Sequence, residues 1–404
     1  MTEGDGGLPP LPAGLLPPGI RARYAPGING LRVHVLEAGF ETPGRPCVLL
    51  LHGFPELAYS WRKVMPALAQ AGYHVLAPDQ RGYGRTTPDP VSYDDDIAPY
   101  RMMNLVRDAL GVVAAFGHRS VAAVVGHDFG APVAAWCALI RPDVFRSVAL
   151  LSAPFGGPPP LPFATMPPDV GGDAPAAAPV AAGVANADIH AALAVLPRPR
   201  VHYQWYYSTP GANADMWRCP QGVQAFLRAY YHVKSADWPG NDPQPLRAWT
   251  ADELAKMPTY YVLDQGQTMA QACAPQMPSD EAVAANAWLP DAELRVYADE
   301  YRRTGFQGGL QWYRCGTSGR FVAEMQTWGG CRIDVPSTFI AGRSDWGMYQ
   351  KPGELERMRR DGCTRFLGAH VVDGAGHWVQ QEQPARVVEL LLRFFGEAGV
   401  AAAD

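Results

Sequence analysis

Five residues, Gly126-His127-Asp128-Phe129-Gly130, lie between an apolar run ending at Val125 and a helical stretch beginning near Ala131. A small residue two places before and two places after a central position lets a chain turn sharply from strand to helix. The central side chain is then forced out above the sheet, beside the helix N-terminus. The pattern is a nucleophile elbow with aspartate where serine commonly stands. A carboxylate there is ionised at neutral pH without help and can attack carbon as well as shuttle a proton. The competing role for Asp128 is a cap on the following helix, a place that Asp favours.

Three further segments supply what such a nucleophile needs. After the first strongly apolar run comes His52-Gly53-Phe54-Pro55-Glu56, a loop able to present the backbone N–H of Phe54. Together with the N–H of Phe129 it would form an oxyanion hole; an ordinary turn is the alternative, and His52 can hold the loop in either case. Asp345 follows the apolar run Ser337 to Ala341, and His377 follows His370 to Val372. The order nucleophile, acid, histidine is that of α/β-hydrolases, and both later residues fall at strand C-terminal ends, where open α/β sheets place their chemistry. An acid after Ser147 to Leu151 would compete, but no carboxylate follows there until Asp169. His34, His74 and His118 have no comparable setting.

The elements that must position these groups alternate. Val33 to Glu37, Cys47 to Leu51, Tyr73 to Ala77, Ser120 to Val125 and Ser147 to Leu151 have strand length. Trp61 to Ala71, Arg101 to Phe116 and Ala131 to Ile140 have helical spacing. Continuous apolar strands between helices predict an α/β fold with a mostly parallel sheet covered on both faces. At Pro154 the alternation stops. Residues 154–182 are dominated by Pro, Gly and Ala, and the chain to about Gly330 is rich in Trp and Tyr and reads as helices with loops. Strand and helix then return at Ser337 to Ala341, Glu354 to Arg360, His370 to Val372 and Arg386 to Phe395. The expected division is a Pro/Gly-rich extension over 1–28 that wraps loosely or is disordered, core over 29–153, a helical lid over 154–330 and core again over 331–404. An aromatic insertion over such a sheet is a natural lid for a ligand pocket.

Composition narrows the function. The 404 residues are 48% hydrophobic and 18% charged, with 34 Lys plus Arg against 39 Asp plus Glu and a formal charge of −5. Mild acidity gives no reason to expect nucleic acid or an anionic membrane as partner. No stretch approaches 18 uninterrupted apolar residues, and Met1 to Pro18 lacks a basic start followed by an apolar run, so a cytoplasmic protein is expected. The seven cysteines are scattered and never paired as C-x-x-C, which points to reduced thiols and away from a disulfide scaffold or a zinc site.

The sequence resembles the soluble epoxide hydrolases of the α/β-hydrolase superfamily from about residue 30 to 397. The residues that carry the likeness are His52-Gly-Phe-Pro-Glu-Leu-Ala-Tyr-Ser-Trp61, Asp79-Gln-Arg-Gly-Tyr-Gly84, Gly126-His-Asp-Phe-Gly130 and Gly376-His-Trp378. Members of that family carry two lid tyrosines that grip the epoxide oxygen. By this resemblance His202-Tyr-Gln-Trp-Tyr-Tyr207 points to Tyr203, with Tyr206 and Tyr207 close enough to compete, and Gly309-Leu-Gln-Trp-Tyr-Arg314 points to Tyr313. It implies ester formation on Asp128, hydrolysis by water activated by His377 and Asp345, and no metal or organic cofactor. Trp205 and Trp312 are expected to line the pocket and favour apolar epoxides.

The sequence departs from the family pattern at Phe129, where Trp is frequent, and in the length of the 154–182 stretch. The nearest alternative is a haloalkane or haloacid dehalogenase with the same nucleophile. Its leaving halide needs N–H donors where this chain has Phe54 and Phe129. An esterase is disfavoured because the chain has no G-x-S-x-G. A non-catalytic binder on the same scaffold would need neither the acid–histidine pair nor the tyrosines.

Overall fold

Five consecutive apolar residues, Cys47–Leu51, form strand β3, and all five are buried. Burial on both faces requires cover on both sides of a sheet, and the sequence supplies it in helices between strands. The computed structural model describes residues 8–163, 189–400 and 402. Its main sheet contains β1 (Ile20–Ile28), β2 (Leu31–Ala38), β3, β4 (His74–Pro78), β5 (Ala123–His127), β6 (Val148–Leu151), β9 (Ser337–Gly342) and β10 (Phe366–Val372). The strands lie in the order β1-β2-β4-β3-β5-β6-β9-β10. From β4 to β10 neighbours are parallel, whereas β1 pairs with β2 and β2 with β4 antiparallel.

Helices α1 (Met65–Gln70), α2 (Met102–Ala115), α3 (Gly130–Ile140) and α7 (Pro384–Glu397) cover the sheet. The apolar residues divide into two clusters, one on each face. Leu49 and Leu51 belong to the cluster that includes α2 and α3, and Val48 and Leu50 to the one that includes Leu390 and Phe394 of α7. Strand alternation sends successive side chains to opposite faces, so β3 feeds both.

Between β6 and β9 the chain leaves the sheet. Helices α4 (Gly222–Lys234), α5 (Asp291–Thr304) and α6 (Gln307–Thr317) dominate this insertion. It also holds a two-stranded antiparallel ribbon, β7 (Arg200–His202) with β8 (Val262–Asp264), where only helices and loops are expected from sequence. The Pro/Ala-rich stretch lies outside the described residues from 164 to 188.

Within the stretch 1–28, expected to wrap loosely or be disordered, the structure corrects the part from 20 to 28, and residues 1–7 lie outside the described residues. Ile20 to Ile28 is an edge strand with a register shift between Ala25 and Ile28. Its Arg side chains face solvent or half-solvent while Ile20, Ala25 and Ile28 are buried. Charges, Pro26 and Gly27 obscure the strand pattern in the sequence, yet an edge strand tolerates all of them because one side has no partner. Among the described residues no helix is long and apolar enough to cross a membrane.

Candidate active site

Asp128 occupies the turn between β5 and α3 with φ of +52°, a left-handed conformation that non-glycine residues seldom adopt. The surroundings enforce it. A Cβ on Gly126 would run into the carbonyl of Gly130, and a Cβ on Gly130 into that of Leu51. Both positions therefore need glycine for the turn to close against β3. Gly53 is the third such contact, because a Cβ there would strike the Asp128 carboxylate and lie 2.7 Å from the Phe129 nitrogen. The loop after β3 is thus pressed onto the elbow, and the Phe54 N–H donates to Asp128 Oδ1 at 2.9 Å.

His377 and Asp345 reach the same place from the ends of β10 and β9. His377 Nδ1 lies 3.0 Å from Asp345 Oδ1, and the Gly347 N–H donates to that oxygen at 2.7 Å. On the other side of the ring, Nε2 is 3.2 Å from Asp128 Oδ2, close enough for an ion pair but not aligned as a hydrogen bond. Asp128 is therefore not a simple helix cap. Its two oxygens meet an amide and an imidazole, and it lines a cavity of about 390 Å³.

Burial opposes charge on all three groups, and the neighbouring charges outweigh it. Desolvation raises Asp128, but His377, Lys234 and His127 together hold it well below the usual carboxylate range. Asp345 is lowered against the same penalty, chiefly by His377. Desolvation lowers His377 and Lys234 adds to that, yet Asp345 and Asp128 raise the imidazole to about 9.

The insertion supplies the opposite wall. Tyr203, Trp205, Trp312 and Tyr313 line the cavity with Asp128 and Phe129. The Tyr203 hydroxyl donates to Gln350 Oε1 at 2.9 Å and accepts from Gln204 Nε2 at 3.2 Å. Its two sequence neighbours are engaged elsewhere: Tyr206 donates to Asp215 Oδ2 and Tyr207 to the Tyr230 hydroxyl, both at 3.1 Å. Tyr313 is wedged edge-on between Phe54 and Phe129, with ring centroids 5.6 and 5.1 Å away. Burial, and then the charge of Asp128, push both phenols upward, so both stay protonated through the neutral range.

Sequence reasoning missed two parts of the site. Ser152, directly after β6, has φ of +70° and places Oγ 2.9 Å from His377 Nδ1. Its signal is its position, the strand end where a carboxylate is sought and absent. The second part is a buried pair behind the nucleophile. His127 Nδ1 lies 2.6 Å from Glu56 Oε2 and its Nε2 lies 2.6 Å from the His377 carbonyl. The other Glu56 oxygen accepts from Gln380 and Gln381. Both residues stand inside motifs noticed for their backbone amides, and nothing in the motifs marks the side chains.

Known proteins resemble this chain in sequence and in fold. The alpha/beta hydrolase fold family matches residues 46–384. Epoxide hydrolase A of Mycobacterium tuberculosis is 35% identical over 378 residues, covering 91% of this chain and 94% of its own. An epoxide hydrolase of Caballeronia sordidicola is 31% identical, covering 92% of each. Among solved structures, an epoxide hydrolase from an endophytic Streptomyces has a TM-score of 0.70 at 31% identity, covering 94% of this chain and 96% of that one. By fold, length and relatives, the chain belongs to the epoxide hydrolases of the alpha/beta hydrolase fold.

Proposed function

We propose that this epoxide hydrolase converts an apolar epoxide and water to a vicinal diol in two steps, through an ester on Asp128. The placement of one group carries the reading. The Asp128 carboxylate faces the cavity with the Phe54 amide 2.9 Å from one oxygen and the His377 imidazole 3.2 Å from the other.

In the first step an Asp128 oxygen attacks a ring carbon and the carbon–oxygen bond of the epoxide breaks. Tyr313, and Tyr203 once its hydroxyl turns from Gln350 Oε1, hydrogen-bond the departing oxygen and supply its proton, which lowers the barrier where charge develops. Esterification removes the negative charge of Asp128, and with it one of the two carboxylates that hold a proton on His377. The imidazolium gives up a proton as the alkoxide gains one, with the phenols as relay, so the count balances. In the second step neutral His377, oriented by Asp345, takes a proton from water and hydroxide attacks the ester carbonyl. The tetrahedral oxyanion sits against the Phe54 and Phe129 amides. Its collapse releases the diol, the leaving oxygen taking the proton from His377, and the proton left on the Asp128 carboxyl passes to His377, which restores the carboxylate and the imidazolium.

The two positions where a dehalogenase needs N–H donors do not favour halide release. Phe54 and Phe129 offer no side-chain donor, and the Trp312 indole N–H already donates to the Arg81 carbonyl at 2.9 Å. The mechanism is tested by a single turnover in ¹⁸O-water with enzyme in excess over styrene oxide. The added diol oxygen should be light and the heavy label should enter Asp128; a heavy diol on the first turnover would mean direct attack by water.

A further inference from the structure

Lys234 is a buried lysine for which the two steps above have no use. It is the last residue of α4, it is 3% exposed, and it does not line the cavity. Its Nζ stands over five ring faces: Tyr261 at 4.6 Å, Tyr230 at 5.1, Tyr260 at 5.7, and Tyr203 and Trp378 each at 5.9 Å. Among the ion pairs of the described residues Lys234 takes no part. Burial lowers the Lys234 ammonium from the usual lysine range; the charges of Asp128 and Asp345 oppose that shift, and so do the ring faces, whose negative charge attracts a cation.

The Lys234 main chain is fastened to the histidine loop. The Lys234 carbonyl accepts the His377 N–H at 2.8 Å, and a Cβ on Gly376 would crowd that same carbonyl. Glu382 closes the strap by accepting from Ala236 on the insertion and from Gly376 and Trp378 on the histidine loop, at 2.8, 2.9 and 3.0 Å. The Trp378 indole, itself one wall of the cage, donates to the Tyr231 carbonyl at 2.9 Å.

We propose that Lys234 is the buried counter-cation of the active site, a positioning charge that keeps His377 from retaining a proton once Asp128 has become an ester. The inference rests on the two-step reading. The groups facing His377 are Asp345 from the end of β9, Ser152 from the end of β6, Asp128 and His127 from the elbow, and Lys234 from α4. Glu382 acts on the loop through its amides. With Asp128 esterified, Asp345 still holds a proton on the imidazole. Lys234 is then the cation opposing it from the insertion, and its low-dielectric cage leaves its field poorly screened. In the free enzyme the same charge acts in concert with His377 to keep Asp128 ionised.

Lys234→Met, Lys234→Gln and Lys234→Arg are compared with wild type by rapid quench with styrene oxide over pH 5 to 10, following the Asp128 ester by mass spectrometry. Both neutral variants should move the acid limb of ester hydrolysis up by about one pH unit, so hydrolysis on that limb slows about tenfold. Lys234→Arg should stay near wild type. Folded neutral variants with an unmoved limb would overturn the proposal. A second measurement needs no neutral variant: the ¹⁵N shift of the Lys234 Nζ, assigned by its loss in Lys234→Arg, should report an ammonium at pH 7, and a neutral amine there would also overturn it. Absence of any ester in wild type would instead remove the two-step reading, a separate and distinguishable failure.

Discussion

The sheet and the insertion each supply half of the candidate site, and they hold their residues in different ways. On the sheet, Asp128, Asp345 and His377 stand at the ends of β5, β9 and β10, where backbone geometry decides their positions. Gly53, Gly126 and Gly130 are glycines because neighbouring chain occupies the space a Cβ would fill. On the insertion, Tyr203 and Tyr313 are set by ring packing: Tyr203 touches Tyr207, Tyr261 and Tyr313, and Tyr313 touches Phe54, Phe129 and Tyr207. A backbone contact is all-or-none, whereas a packed ring can lose one neighbour and keep several. Changes on the sheet side should therefore cost more than changes on the insertion side.

The largest effect expected is on Asp128. Asp128→Ala should abolish ester formation and reduce steady-state turnover by at least about 10⁴-fold, as removal of a nucleophile does elsewhere. Substantial residual diol formation would break the sheet half of the comparison outright. His377→Gln should leave attack possible and slow ester hydrolysis by roughly 10²–10⁴-fold, so mass spectrometry should find the adduct accumulating.

Gly53→Ala sharpens the claim about close approach. Its Cβ can be accommodated only if the loop withdraws from the elbow, which takes the Phe54 amide away from the carboxylate. Turnover should fall roughly 10²-fold, the scale of one lost oxyanion donor, with ester hydrolysis hit harder than alkylation. On the insertion side, Tyr313→Phe and Tyr203→Phe remove one hydroxyl each and should slow alkylation by roughly tenfold apiece in single-turnover traces, since the partner phenol remains. Losses as large as that of Asp128→Ala would erase the distinction between the halves.

The smallest effect concerns stability. His377 is raised to about 9 in the folded protein, above its unfolded value of about 6.5. The ion pairs it makes with Asp128 and Asp345 therefore stabilise fully below about pH 6.5, and that contribution is lost as pH rises through about 9. The Tm of wild type should decline across this window more steeply than that of His377→Gln; parallel curves would mean that the imidazole is not charged in the free enzyme.

The same contrast governs what could be read in advance. The elbow was legible because Gly126 and Gly130 flank Asp128 at the spacing a tight turn demands, and chain order then singled out Asp345 and His377. Continuously apolar strands such as β3 were legible from their composition, and amphipathic helices such as α7 from periodicity. The three-residue ribbon β7–β8 was not, because so short a pairing is stabilised by its surroundings and leaves no pattern of its own. Strand β1 was hidden by the Arg, Pro and Gly that an edge permits.

Local spacing thus encoded the sharp turn at Asp128 and the strands of the sheet, because steric limits on a turn and strand alternation act within a few residues. The choice among Tyr203, Tyr206 and Tyr207 did not lie in the sequence alone. Separated by three and four positions, they share a helical face, and only the fold directs Tyr206 to Asp215, Tyr207 to Tyr230 and Tyr203 to the cavity. The setting of Lys234 and the contact of Ser152 with His377 were likewise decided by tertiary structure. Each depends on segments at least 140 residues apart meeting at one imidazole, and no local pattern records such a meeting.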